Sequence, residues 1–111
     1  MADADRSTPV FRVDKFVVPV AARGEFLDKV RRTHELLKKQ QGFRRDLVLE
    51  QSSGPGRFNF VTLVEWESEA AVEGAKAAIM AMHREIGFSA KDMFVRLGIE
   101  ADVANYSPAE G

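Results

Sequence analysis

The sequence contains no cysteine among its 111 residues. This absence excludes disulfide bonds, thiolate nucleophiles, iron–sulfur clusters and cysteine-containing zinc sites. An excess of basic residues is also lacking, because 16 Lys and Arg are balanced by 17 Asp and Glu for a formal net charge of -1. A nucleic-acid partner is therefore not expected. No apolar run approaches the ~20 residues that span a bilayer, and the polar residues 1–9 do not resemble a signal peptide, so we expect a cytoplasmic protein with no membrane partner.

The composition that remains is typical of a folded domain. Hydrophobic residues make up 45% of the chain and charged residues 30%, which is too apolar for a disordered protein. We expect one domain at residues 9–107, with short flexible segments at 1–8 and 108–111.

Alternating and helical apolar patterns divide this domain into strands and helices. The predicted strands cover residues 10–18, 43–51, 58–67 and 99–106. The predicted helices cover residues 21–40 and 69–86, and a short third helix ends at residue 97. The order β-α-β-β-α-α-β predicts an α+β fold of the ferredoxin-like, split βαβ kind, with an antiparallel sheet and both long helices on one face.

The predicted first strand has apolar side chains on both of its faces. Phe11, Val13 and Val17 lie on one face, and Phe16 and Val18 lie on the other. One layer of helices covers only one side of a sheet, so a second copy of the chain is expected to cover the other. The pattern therefore predicts a homodimer.

Two further predictions concern the chain after the first helix. Gly42 is placed as the residue that ends this helix, where glycine is common. Phe43, Leu47 and Leu49 are assigned to one face of the second strand because they share its period of two.

Three segments resemble the antibiotic biosynthesis monooxygenase superfamily of dimeric α/β barrels. They are FRVDKFVVPVAARGEFLDKV, KKQQGFRRDLVLEQ and FNFVTLVEWESEAAVEGA, within which VEWESEAA is the most specific. The resemblance implies a small oxygenase that uses neither metal nor flavin, acts on an aromatic, phenol-like compound, and has its pocket between sheet and helices. We therefore expect no cofactor.

The haem-degrading branch of that superfamily is matched poorly. The resemblance places Asp14 where this branch has asparagine, and Ala75 at or near the position of its tryptophan. His83 corresponds to its histidine only after a shift of the alignment. Haem degradation is thus the least favoured alternative.

Asp14 and His34 are the candidate catalytic residues. Burial of Asp14 within a strand would raise its pKa and make it a better base near neutral pH. The alternative is an ion pair with Lys15, Arg12 or an arginine of a neighbouring strand. His34 is the polar member of a helical stripe otherwise formed by Leu27, Val30 and Leu37, so it is either a general base in the pocket or a hydrogen-bonded histidine at the helix–sheet boundary.

The remaining candidates are predicted to bind the substrate. Trp66 either stacks on an aromatic ligand or packs where strand meets helix. His83 either faces the pocket or interacts with the dipole at its helix C-terminus. Asn105 and Tyr106 are either donors to a ligand oxygen or groups of the dimer interface. The predicted apolar walls are Phe16, Phe60, Ile79 and Met82, together with Trp66.

No metal site is predicted, since neither histidine belongs to a pattern such as HExxH. The sequence thus favours a cofactor-independent monooxygenase acting on a small phenolic or quinol-like compound. The alternative is a non-catalytic dimer of the same fold that binds a small molecule or has a structural role.

Overall fold

The computed structural model describes residues 8–109. A turn of 3-10 helix at Val20–Ala22 precedes the first α-helix. The strands and α-helices in chain order are β1 (Val10–Val17), α1 (Arg23–Leu37), β2 (Phe43–Glu50), β3 (Phe60–Trp66), α2 (Glu69–Ile86), α3 (Ala90–Leu97) and β4 (Glu100–Tyr106). Of the end segments predicted to be flexible, residues 1–7 and 110–111 lie outside the described residues, and residues 8, 108 and 109 have no regular structure.

The four strands form one antiparallel sheet in the order β2-β3-β1-β4. This order confirms the predicted α+β, ferredoxin-like fold. Alternate residues of β3, from Phe60 to Trp66, are buried beneath the helices, as expected for a sheet with one covered face.

Serine and glycine residues set the limits of the two later helices. The Ser68 and Ser89 hydroxyls accept hydrogen bonds from backbone N–H groups three residues further on, both at 3.2 Å. Gly87 and Gly98 follow the last turns of α2 and α3 with positive φ angles of 68° and 72°. Capping and left-handed termination therefore fix both helices locally.

Two predictions around α1 and β2 are wrong. The helix ends at Leu37, and Gly42 lies beyond it with a φ of 89°, next to Ala71 of α2. A β-bulge between Phe43 and Arg45 changes the register of β2. Phe43 therefore packs against Trp66 on the helix side, with ring centroids 5.8 Å apart, instead of sharing a face with Leu47 and Leu49.

The sheet face that points away from the helices carries an apolar row across all four strands. The strand registers align Leu47, Leu63, Val13 and Ala104 in this row. Leu47 and its neighbour on the same face, Leu49, are 43% and 48% exposed. The sheet thus has an apolar surface that no helix within residues 8–109 covers.

Candidate active site

A band of polar side chains crosses the helix-covered face of the sheet, between two apolar clusters. One cluster contains Phe16, Phe26 and Phe60, and the other contains Trp66 and Val72 among its members. The β1–β3 register places Thr62 opposite Asp14. Arg12 lies two residues before Asp14 on the same face of β1, so Arg12, Asp14 and Thr62 lie between the clusters. Polar groups in the middle of a core are costly unless they are paired, which makes this band the first candidate for a functional site.

His34 of α1 reaches down to the sheet and meets Asp46 of β2. The His34 Nδ1 and Asp46 Oδ2 atoms are 2.7 Å apart, and only 8% of His34 is exposed. An ionised carboxylate can only accept at this distance, so the pair favours the tautomer with the proton on Nδ1. In a neutral imidazole this tautomer has its lone pair on the other ring nitrogen, Nε2.

Asp14 pairs with Arg12, two residues away on the same face of β1. The Arg12 Nε donates to Asp14 Oδ1 at 2.8 Å. Burial nevertheless raises the pKa of Asp14 above its usual value, and this effect outweighs the opposing influence of Arg12 and, more weakly, of His34. Asp14 therefore forms the ion pair with Arg12 that was one of its two predicted roles. Its buried surroundings nevertheless favour the protonated carboxyl more than water does.

A cavity with two adjoining lobes lies between the sheet and the helices. The two lobes have six lining residues in common, namely Arg12, Asp14, Thr33, His34, Thr62 and Ile79. The first, called the Trp66 lobe, has a volume of about 240 Å³ and extends along Trp66 and Ala75. The second, called the Phe88 lobe, has a volume of about 290 Å³ and extends along Phe16, His83 and Phe88. Lobes of this size suit a small organic ligand.

The Phe88 lobe ends in a cluster formed by Lys29, His83 and Phe88. The Lys29 Nζ lies 3.7 Å from the centroid of the Phe88 ring, and the His83 ring meets Phe88 edge-on at 4.8 Å. Burial lowers the pKa of both Lys29 and His83, and the nearby Lys29 charge contributes further for His83. The His83 Nε2 is buried without a hydrogen-bond partner among residues 8–109.

The structure brings six of the ten predicted site residues together around this cavity. They are Asp14, His34, Phe16, Trp66, Ile79 and His83. Trp66 fits both interpretations offered for it, because it is 2% exposed, packs against Phe43 and lines the Trp66 lobe. His83 lines the Phe88 lobe even though it lies in the last turn of α2.

The other four residues do not line the cavity. Phe60 is buried in the core against Phe26. Met82 lies off the cavity-facing side of α2, where Ile79 and His83 line the cavity instead. Asn105 is exposed on the edge strand opposite Arg12, and Tyr106 lies opposite Phe11 on the sheet face away from the helices. Tyr106 is thus placed where a dimer-interface residue would lie.

Sequence reasoning missed the partner of His34. Asp46 ends a run of charged residues that begins at Asp28, and its link to His34, twelve positions earlier, depends on where α1 crosses β2. Lys29 belongs to the same run of charged residues, although it lines the Phe88 lobe. Most other charges there do have nearby partners on the surface, such as Arg32 with Asp28 at 3.2 Å and Arg45 with Glu65 at 2.8 Å.

Within residues 8–109, no group of three or more His, Asp or Glu side chains is arranged to hold a metal ion. Over the same stretch, no helix is both long enough and apolar enough to cross a membrane.

Comparison with known families agrees with this geometry. The family described as antibiotic biosynthesis monooxygenase matches residues 9–78, which is more than half of the sequence. The chain therefore belongs to this family. No curated protein sequence matches it.

Solved structures with the same fold cover nearly the whole chain. A protein from Shewanella loihica PV-4 has a TM-score of 0.71 at 17% identity, covering 95% of this chain and 98% of its own. A mutant of SnoaB, a cofactor-independent oxygenase from Streptomyces nogalater, has a TM-score of 0.70 at 20% identity, covering 94% and 96%. MhuD, a haem-degrading protein from Mycobacterium tuberculosis bound to two haems, has a TM-score of 0.66 at 18% identity, covering 92% and 97%. At these identities the likeness concerns the fold.

Proposed function

We propose that this protein is a cofactor-independent monooxygenase that oxidises a small phenolic or quinol-like compound in the two-lobed cavity. The observation that carries the proposal is the part-buried pair of His34 and Asp46, whose imidazole lies with Asp14 and Arg12 at the junction of the lobes. Family membership and the likeness to SnoaB add support from outside the site.

His34 is the proposed general base. Its Nε2 takes the phenolic or enolic proton while Asp46 holds Nδ1–H and stabilises the imidazolium that results. The Arg12 guanidinium, which lines both lobes, favours the developing oxyanion electrostatically. Asp14, whose pKa is raised by burial, is the alternative base and also restrains Arg12.

The reaction balances without a second reductant when the substrate is of the anthrone type. Deprotonation gives an electron-rich carbanion that transfers electrons to O₂ directly, and a bond forms between the ring carbon and one oxygen atom. The second oxygen leaves as water with the two hydrogens of the original CH₂ group, which becomes a carbonyl. The four electrons that O₂ accepts all come from that carbon. Apolar walls such as Trp66 and Phe16 exclude bulk water from the carbanion.

The proposed working unit is a homodimer. The support for it is the apolar row of Leu47, Leu63, Val13 and Ala104 on the sheet face that the helices do not cover. Two copies packed through this face would bury the row and leave both cavities on the outer, helix-bearing sides.

Oxygen uptake with a panel of anthrones and hydroquinones tests the function. We expect uptake above the protein-free rate, and incorporation of one atom from ¹⁸O₂ into an anthrone product. His34→Gln and Asp14→Asn are each expected to lower the rate, the former by about 100-fold, as for loss of a general base. Asp28 is an exposed aspartate of α1 that pairs with Arg32. Asp28→Asn is therefore the matched control and is expected to keep the full rate.

The outcomes separate the alternatives. No uptake with any compound, or uptake that neither His34→Gln nor Asp14→Asn changes, would contradict the proposed enzyme. Saturable binding of the same compounds without uptake would instead indicate the non-catalytic small-molecule binder. A haemin titration belongs in the same series, because a shifted Soret band would favour the haem-binding alternative.

A further inference from the structure

The end of the Phe88 lobe contains two polar groups that the proposed reaction does not use. Lys29 forms no ion pair with any other residue in the described range 8–109, since the nearby Asp28 carboxylate is paired with Arg32. Its ammonium lies on the face of Phe88 at 3.7 Å. An ammonium has three donors and no acceptor, and a cation–π contact leaves those donors available.

His83 provides the second unused group. Its Nε2 is buried without a protein hydrogen-bond partner in the described part of the chain, and its ring packs against the edge of the same Phe88. Buried polar atoms in folded proteins nearly always have partners, so an unpaired one in a residue that lines a cavity calls for an explanation in terms of what enters the cavity. Both groups line the Phe88 lobe alone, whereas Asp14 and His34 line it where it adjoins the Trp66 lobe.

From these contacts we infer that Lys29 and His83 form a subsite for a carboxylate on the substrate, at the opposite end of the Phe88 lobe from His34. The inference rests on the proposed function in that the ligand is an aromatic phenol, and it specifies that phenol as a hydroxyaryl carboxylic acid. The hydroxyl lies at His34, the ring extends along Phe16 and Phe88, and the carboxylate oxygens accept from Lys29 Nζ and from His83 Nε2–H.

The charges around the subsite agree with an anionic ligand. Burial and, more weakly, the Arg32 charge lower the pKa of Lys29. Burial and, more weakly, the Lys29 charge lower the pKa of His83. A carboxylate placed between Lys29 and His83 opposes both effects, because it favours the charged form of each group. Charge-assisted hydrogen bonds of this kind are about twice as strong as neutral ones, so they discriminate well between an acid and its amide.

The test compares two ligands that differ in charge and hardly in shape, namely 6-hydroxy-2-naphthoate and 6-hydroxy-2-naphthamide. Isothermal titration calorimetry on the full chain under argon measures binding alone. We expect the acid to bind wild type about tenfold more tightly than the amide. Lys29→Met keeps most of the aliphatic stem and is expected to bring this ratio close to one, while the affinity for the amide changes by less than about twofold. His83→Phe is expected to reduce the ratio by about threefold.

Arg31→Met is the matched control. Arg31 is an exposed basic residue of the same helix and lines a separate surface hollow with Leu27 and Val48. The Arg31→Met substitution removes one positive charge without touching the Phe88 lobe. The affinity ratio of acid to amide is therefore expected to stay at the wild-type value.

Three results would overturn the subsite: equal affinity of wild type for the two ligands, no binding of either, or a ratio in Lys29→Met no lower than in Arg31→Met. Unchanged affinity of Lys29→Met for the amide also shows that the variant is folded. Because no turnover is measured, selective binding of the acid without oxygen uptake would refute the oxygenase and retain the subsite. Oxygen uptake with equal binding of acid and amide would refute the subsite and retain the oxygenase.

Discussion

The His34 Nδ1 atom lies 2.7 Å from Asp46 Oδ2, and this contact joins α1 to β2 at the side of the cavity. Asp46 itself does not line either lobe, whereas His34 lines both. In the proposed reaction the carboxylate therefore acts through the imidazole, by fixing the ring orientation and the tautomer. Asp46 is then a positioning residue, and His34 is the group proposed to meet the substrate.

Asp46→Asn is expected to lower kcat about tenfold or more with little change in KM. An amide can donate to Nδ1 as well as accept from it, so asparagine allows the tautomer that carries the proton on Nε2 and removes the base. The nitrogen chemical shifts of the His34 ring report the tautomer directly, and assignment is simple because the chain has two histidines. Asp28→Asn is again the control. A lower rate with an unchanged His34 spectrum would argue against the positioning role.

Much of the fold follows from short-range signals in the sequence. Ser68, Ser89, Gly87 and Gly98 set helix limits through contacts within three to five residues, and these limits were predicted closely. The errors lie where a limit depends on distant contacts. Gly42 has a positive φ and lies close to Ala71 of α2, and no local pattern near Gly42 contains the information on that contact.

The site was predictable in part for the same reason. Helical spacing places His34 on the buried face of α1, and strand alternation places Asp14 on a covered face of β1. The pairing of His34 with Asp46 requires both the bulge after Phe43 and the position of α1 over β2. A one-residue change of register would turn Asp46 to the other face of the sheet.

The raised pKa of Asp14 gives the stability of the protein a definite dependence on pH. Desolvation is the main cause, so between the usual value of 3.8 and the higher folded value the native state binds more protons than the unfolded state. Wild-type stability therefore falls as the pH rises through this window, and the penalty is absent below it. The unfolding free energy of Asp14→Asn minus that of wild type is expected to grow with pH across the window.

Urea unfolding of both proteins from about pH 3.5 to 7 measures this difference. Asp28→Asn controls for the loss of one carboxylate from the surface. A difference that is constant, or that shrinks with rising pH, would contradict the assignment of a desolvated carboxyl to Asp14.

Gly42 is expected to tolerate no side chain. Its φ of 89° is in the left-handed region, and an added Cβ would overlap the Cβ of Ala71. Gly54 has a similar φ of 95° with nothing within 4 Å of such a Cβ, so Gly54→Ala isolates the backbone strain of about 1 kcal/mol. Gly42→Ala is expected to lose about 1–3 kcal/mol more, from overpacking between the α1–β2 connection and α2. If urea unfolding shows that Gly42→Ala and Gly54→Ala lose equal stability, α2 moves away from the added methyl group without a cost in free energy.

Three consecutive residues of β2 allow a test of whether the proposed homodimer forms through the uncovered sheet face. Leu47 and Leu49 point to that face, while Val48 between them points to the helix side, and the three are similarly exposed at 43%, 48% and 41%. Analytical ultracentrifugation is expected to give the mass of two chains for wild type and for Val48→Glu. Leu47→Glu places a charge at the centre of the apolar row on both copies, so it is expected to raise the dimer dissociation constant at least about tenfold. If Val48→Glu dissociates the protein as readily as Leu47→Glu, or if wild type is monomeric, the two copies do not associate through this face.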